Sequence, residues 1–263
     1  MIEKVNPLGF NKRIFAFRFF LVTCVQNVIS FLLGGEKCLC CTKWTLRLPL
    51  CSSCLTEIFR PFHSESCSVC GKPLVSERGL CTVCREEAAL KSIDAAFSLH
   101  CYQLWKKSLL FAWKMEGKRS LSPYFAALCY KKIQSLWQKE GQQFPLVPVP
   151  PRAGKIRERG WDQIDDLCFY LRKGWNVKIL PLLERLSRTQ QKKLDRAQRL
   201  EGIESSYRLK SAKKLKGLIR KIPETVMLID DVLTTGSTVE ACARELKKLG
   251  VKKVFSLTLF IVD

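Results

Sequence analysis

Val226-Met227-Leu228-Ile229-Asp230-Asp231-Val232-Leu233-Thr234-Thr235-Gly236-Ser237-Thr238 decides the fold. The apolar run from Thr225 to Asp231 reads as a buried strand that ends in two adjacent carboxylates. Such strands deliver side chains to the carboxyl edge of a parallel sheet, where α/β proteins hold ligands. A loop of hydroxyl residues and Gly follows, then a helix predicted from Thr238 to Leu249. Ser237 to Glu240 fits an S-x-x-E capping box, and Gly250 fits the position just past the helix end. The free N–H groups of that helix start, the hydroxyls of Thr234, Thr235, Ser237 and Thr238, and close approach at Gly236 make an anion seat. Acids beside a phosphate seat suit a ligand that also carries hydroxyls or a metal, as a sugar phosphate does. No G-x-x-x-x-G-K-[ST] and no G-x-G-x-x-G occurs, which excludes a P-loop and a dinucleotide fingerprint.

Around this stretch, strand and helix patterns alternate, which argues an α/β fold with a parallel sheet flanked by helices. Strand patterns fall at Ile93–Leu104, Phe144–Val149 and Val254–Val262. Helix patterns fall at Trp105–Trp113, closed near Gly117, at Leu121–Lys139 with a stripe of Phe125, Leu128, Cys129, Ile133, Leu136 and Trp137, and at Arg157–Leu171.

Cysteine spacing fixes the N-terminal third. Cys38 and Cys41, Cys51 and Cys54, Cys67 and Cys70, Cys81 and Cys84 form four C-x-x-C pairs. Each turn can aim two thiolates at one metal, and two turns complete the tetrahedral sulfur shell that suits zinc. Two structural zinc ions are expected, with sequential and crossed pairing equally open. A disulfide framework and a redox pair are the weaker alternatives, and Cys40 and His63 are spare ligands. Cys24, Cys101, Cys129, Cys168 and Cys242 stand alone in apolar surroundings and read as core. Three regions result: an apolar helix over 1–35, a metal-binding region over 36–90, and the α/β domain over 91–263.

A formal charge of +21 over 263 residues points to polyanionic partners, while 47% hydrophobic residues exclude a wholly disordered chain. Leu183 to Lys221 alone carries 13 Lys and Arg against 4 acids, as a mobile loop meeting a polyanion would. Trp105 and Trp113 stand beside lysines and Trp161 follows Arg159, a pattern that suits base stacking with backbone contacts, although each Trp alone reads as core. The apolar run 14–33 is interrupted by Arg18, Gln26 and Asn27 and has no small-residue cleavage site. It reads as a packed helix in a cytoplasmic protein, with contact at a membrane surface as the alternative.

The stretch 226–238 resembles the PRPP (phosphoribosyl pyrophosphate) signature of type I phosphoribosyltransferases. The cysteine pairs, Lys114 and Gly117 in WKMEGK, Val147-Pro148-Val149-Pro150, Arg157 to Gln163, and Gln191, Leu194, Arg199 and Tyr207 extend the resemblance to the ComF/GntX-type family. That family joins a double zinc ribbon to a phosphoribosyltransferase-like domain. The resemblance implies that Asp230 and Asp231 bind the ribose hydroxyls as the residues central to catalysis, and that Thr234 to Thr238 hold the 5′-phosphate. Arg152 would face pyrophosphate, Arg159 and Gln163 would lie near the site, and Arg188 to Arg199 would form a flexible hood. Mg²⁺ would bind mainly through PRPP oxygens. It implies a role in DNA uptake during natural competence, or in using imported DNA, with other DNA-uptake proteins and single-stranded DNA as partners. A transferase with an unspecified acceptor and a non-catalytic PRPP- or DNA-binding module with a zinc docking region both fit. The chain departs from the family at Trp161-Asp162, where Phe-Asn is usual, at Gly202, where Asn is usual, and at Tyr207, where Phe is usual.

Overall fold

A computed structural model describes residue 28 and residues 36–45, 49–58, 65–74, 77–86, 90–101, 105–152, 154–186 and 206–262. Apart from Val28, the run 14–33 lies outside the described residues, as do Cys24, His63, Gly202 and the hood segment Arg188 to Arg199. The side chains of Trp105 and Arg159 also lie outside them.

The cysteine-rich region contains the short antiparallel pair β1 (Glu36–Lys37) and β2 (Trp44–Thr45), then helices α1 (Ser52–Ile58) and α2 (Thr82–Glu86). The α/β part runs β3 (Ala95–Cys101), α3 (Trp105–Lys114), α4 (Ser122–Glu140), β4 (Leu146–Pro148), α5 (Lys155–Arg159) and α6 (Gln163–Trp175). It continues through β5 (Leu183–Arg185), β6 (Tyr207–Leu209), α7 (Ala212–Leu218), β7 (Thr225–Leu233), α8 (Ser237–Leu249) and β8 (Lys253–Ile261).

Four strands form one parallel sheet in the order β3-β8-β7-β4. The strands β7 and β8 are central and pair Met227 with Phe255 and Ile229 with Leu257. Their near-continuous apolar sequence follows from burial on both faces. Leu109, Trp113, Phe125, Ile133, Leu167 and Leu171 bring α3, α4 and α6 onto one face. Val239, Cys242 and Leu246 bring α8 onto the other, with Tyr207 of β6. Trp113 and Phe125 are fully buried with ring centroids 4.9 Å apart, each contributing about 1.5–3 kcal/mol through burial. Trp113 also donates its indole N–H to Ser122 Oγ at 2.8 Å. It is a core residue and offers no stacking surface. Cys101, Cys129, Cys168 and Cys242 are buried, as their apolar settings imply.

Two local expectations are corrected. The helix expected over Arg157–Leu171 is two helices, α5 and α6. Gly160 ends α5 in the left-handed conformation at φ 74°, and Asp162 starts α6 by accepting from the N–H groups of Ile164 at 2.9 Å and Asp165 at 3.1 Å. The capping box at Ser237–Glu240 does not form. Gly236 is the cap residue, and the Glu240 carboxylate accepts from the Ser92 N–H instead, at 2.9 and 3.0 Å. Gly250 does end α8, at φ 106°.

The cysteine-rich region packs against the rest of the protein. Cys38, Leu50, Leu55 and Ile58 share the apolar cluster of α3 and α4. Cys67, Leu74, Cys81 and Cys84 form a small core of their own. That second core meets the sheet where the Val69 carbonyl accepts from the Ala96 N–H of edge strand β3 at 3.1 Å. Among the described residues, no helix is long and apolar enough to cross a membrane.

Candidate functional site

A cleft of about 760 Å³ opens at the carboxyl end of β7. Asp230, Asp231, Thr234, Thr238, Arg152 and Gln163 all line it. The three segments that supply them meet because β4 pairs with β7, and α6 packs beside both.

Asp231 is buried, and its Oδ2 accepts from Gln163 Nε2 at 2.6 Å and from Lys114 Nζ at 2.7 Å. Asp230 is half-buried, and its Oδ1 accepts from the Asp231 N–H at 2.8 Å. Burial, then the charge of Asp231, pushes the Asp230 carboxyl up to about 8, against the opposing pull of the Asp231 N–H and Lys114. One acid of the pair is therefore ion-paired, and the other is held in its neutral form up to about neutral pH.

A polar chain extends from this pair. Gln163 accepts on Oε1 from Lys155 Nζ, and Lys155 also pairs with Asp162 Oδ2 at 2.6 Å. Asp162 thus caps α6 with one oxygen and neutralises Lys155 with the other. An Asn here could cap but not pair, so Lys155 accounts for the extra charge at this position. Arg152 pairs with Glu158 at 2.5 Å, and both are exposed. On the opposite wall the Arg185 guanidinium lies 5.2 Å from the centre of the Tyr207 ring.

The loop between β7 and α8 is shaped for an anion. Gly236 sits at φ 82°, and a Cβ there would come within 2.7 Å of Leu90 Cδ2, so only glycine fits. The cap residue of α8, Gly236, has no side chain to cap it, and Thr235 Oγ1 accepts the Ser237 N–H only at 3.4 Å. The first intrahelical bond runs from the Glu240 N–H to the Gly236 carbonyl, which leaves the N–H groups of Thr238 and Val239 without a helical acceptor. Thr235 Oγ1 and Ser237 Oγ bond each other at 2.9 Å, so these two brace the loop while Thr234 and Thr238 line the cleft.

The eight paired cysteines gather as two sets, Cys38, Cys41, Cys51 and Cys54, and Cys67, Cys70, Cys81 and Cys84. Pairing is sequential, not crossed. Sulfur atoms of Cys41 and Cys51 are 3.7 Å apart, as are those of Cys70 and Cys81. A tetrahedron with zinc–sulfur bonds of about 2.3 Å has edges of about 3.8 Å, so each set fits a zinc ion. Burial raises Cys38 and Cys67, but backbone N–H groups outweigh it and bring them down to about 7 and about 6. Burial and the neighbouring thiols push Cys54, Cys70 and Cys84 up. Four thiolates can coexist in each set only around a cation. Cys40 stands outside both sets.

Sequence reasoning met Lys114 in WKMEGK and beside Trp113, Asp162 as a departure from the family and Arg185 in a basic stretch, but placed none of them, nor Lys155, in the cleft that all four line. Lys114 belongs to WKMEGK and could have been noticed as a cation next to the helix end, but nothing in the spacing joins it to Asp231.

These observations define the class: an α/β protein with a four-stranded parallel sheet flanked by helices, a polar cleft at the sheet's carboxyl edge, and two four-cysteine, zinc-ribbon-like regions. No family model matches the chain. It is 26% identical over 213 residues to competence protein ComFC of Streptococcus pneumoniae, covering 80% of this chain and 86% of that one. It is 25% identical over 229 residues to DNA utilization protein YhgH of Salmonella typhimurium, covering 80% and 92%. Competence protein F of Haemophilus influenzae is 26% identical over 210 residues, covering 78% and 87%. Its similarity to these three proteins supports the ComF family for the chain.

Proposed function

We propose that the chain binds PRPP with Mg²⁺ in the cleft and acts in DNA uptake, or in the use of imported DNA. The second half of that reading is supported by the names of its relatives, competence proteins and DNA utilization proteins. The first half is carried by one observation: adjacent carboxylates at the end of β7 continue directly into an uncapped helix start, within one cleft. In this reading Asp230 and Asp231 accept from the ribose 2′- and 3′-hydroxyls, and the loop Thr234–Thr238 donates to the 5′-phosphate. Arg152 faces the pyrophosphate, and Gln163 holds Asp231 in place. Mg²⁺ would be held mainly by pyrophosphate oxygens, because it keeps waters and prefers phosphate partners, and it would offset the charge of that group. The two sets of four cysteines carry structural zinc.

Isothermal titration with PRPP and MgCl₂ tests the site. Binding that is lost in Asp230→Asn/Asp231→Asn supports it, and equal affinity in wild type and variant refutes it. Pyrophosphate release on adding acceptors would make the protein a phosphoribosyltransferase. Silence across a broad panel would make it a binding module.

Single-stranded DNA, or another polyanion, is the second partner this reading includes. The observation favouring it is α7 and its flank, where Lys213, Lys214, Arg220 and Lys221 are among the basic side chains facing solvent. Binding whose affinity falls steeply with salt would support this partner, and a shallow slope would count against it.

A further inference from the structure

The turns at Cys38–Cys41 and Cys67–Cys70 are the same knuckle in different surroundings. In the first, the Cys38 N–H donates to the Lys43 carbonyl at 2.9 Å and the Thr42 N–H to the Cys38 carbonyl at 2.9 Å. In the second, the Cys67 N–H donates to the Lys72 carbonyl at 2.7 Å and the Gly71 N–H to the Cys67 carbonyl at 2.9 Å. Thr42 and Gly71 both sit in the left-handed region, at φ 61° and 73°. The second knuckle docks on the sheet: Gly71 is buried, and a Cβ there would come within 2.6 Å of the Ala96 carbonyl oxygen on β3. The first carries Thr42 where the second has Gly71 and Trp44 where the second has Pro73, and both Thr42 and Trp44 are exposed.

Trp44 is 68% exposed. Of the five tryptophans whose side chains are described, it alone faces solvent, for Trp113 and Trp137 are buried and Trp161 and Trp175 are half-buried. An indole stabilises a fold through the surface it removes from water, and this one removes little, so packing does not account for it. Lys37 is its register partner across β1 and β2, so the two side chains leave the same face of the hairpin. Lys43 precedes it, and both lysines are exposed. Residues 36–50 hold three cations, Lys37, Lys43 and Arg47, against one acid, Glu36. A flat ring among cations suits a strand with unpaired bases, because the ring takes a base face while the lysines take phosphates. Duplex bases are already stacked on one another, and a hairpin of two residues per strand has no groove to enclose a peptide side chain.

We propose that the first cysteine knuckle is a base-stacking site for single-stranded DNA, with Trp44 as the platform and Lys37 and Lys43 on the flanking phosphates. It is a second surface, separate from α7. The knuckle packs through Cys38 on the cluster of α3 and α4, whereas Leu215 and Leu218 of α7 pack on the cluster at the other face of the sheet. The helix α7 carries cations but no aromatic side chain, so it can hold a phosphate backbone and not a base. This inference rests on single-stranded DNA as a partner and adds to it the element that tells bases from backbone.

The test is fluorescence anisotropy of the full chain with a labelled oligothymidylate and with an abasic strand of equal length, over a range of salt. Native mass spectrometry and thermal melting report whether each variant keeps its metals and its fold. Trp44→Ala should lose roughly fivefold or more for oligothymidylate, the low end of one base–aromatic stack, with the salt slope unchanged. For the abasic strand it should lose under about twofold. Trp44→Phe should restore most of the affinity. Lys37→Met/Lys43→Met should lower the salt slope by about 1.4, as loss of two phosphate contacts on a single strand does. A Trp44→Ala variant that binds oligothymidylate like wild type, or that weakens equally on both strands, overturns the inference and leaves single-stranded DNA as a partner held elsewhere. Failure of wild type to bind either strand removes that partner, and the inference falls with it.

Discussion

Gln163 donates to Asp231 Oδ2 at 2.6 Å from the first turn of α6, across the gap between that helix and β7. Its other side-chain atom accepts from Lys155, so one amide joins a buried acid to a buried cation. An amide is the right group here, because it can donate at one end and accept at the other.

Gln163→Leu keeps the volume and removes both bonds. We expect a loss of about 1–3 kcal/mol in stability, the cost of leaving buried polar groups unsatisfied, and roughly a tenfold loss in PRPP affinity. Denaturant unfolding and calorimetry on the same variant check both. A variant as stable as wild type would mean that Asp231 is solvated in the folded protein.

Asp230 gives a pH signature. Its carboxyl rises from an ordinary value of 3.8 to about 8 on folding, with burial as the main cause. Between those values the folded protein keeps a proton that the unfolded chain has released. Stability therefore falls as pH climbs from about 4 to about 8. Asp230→Asn removes that slope, so its melting temperature should exceed that of wild type at pH 8 by several degrees and approach it at pH 4. Parallel melting curves across the range would show that Asp230 is charged in the folded state.

Zinc content should be two per chain by native mass spectrometry. Cys41→Ser should lower it to one, and so should Cys70→Ser. The two losses should differ in their reach. Loss of the second metal should speed hydrogen exchange at the Ala96 amide, which bonds to Val69 beside Cys70. Loss of the first should leave that amide protected. A zinc content of zero in the wild type, purified without chelator, would remove the metal assignment.

Gly236→Ala forces a side chain into a left-handed position and against Leu90. A cost of about 1–2 kcal/mol is expected from the backbone conformation alone. Affinity for ribose 5-phosphate should fall together with that for PRPP, because the seat for the 5′-phosphate is disturbed.

How much was legible before the structure varies with the length scale of the signal. The strand at 226–231, the helix after it and the two sulfur sets are local patterns, and they formed where spacing put them. The break at Gly160 was readable but was overridden by the apolar period on either side of it. The failed cap at Glu240 was not readable. Its competitor, the Ser92 N–H, comes from the far end of the domain. The hairpin of β5 and β6 has only three residues per strand, too few for a period to show. Lys114 and Gln163 were in view as members of motifs, yet only the packing of α3 and α6 on one sheet face brings both to Asp231.

Leu90 follows the last cysteine pair and lies against Gly236 in the loop between β7 and α8. Two residues later, Ser92 anchors the acid in the first turn of α8. Fragments begun beyond Ser92, at the first strand of the sheet, would thus lose both of these supports. Metal status and ligand affinity should then be measured on one intact polypeptide, because Val69 and Cys70 pack against the same apolar cluster that contains Leu90.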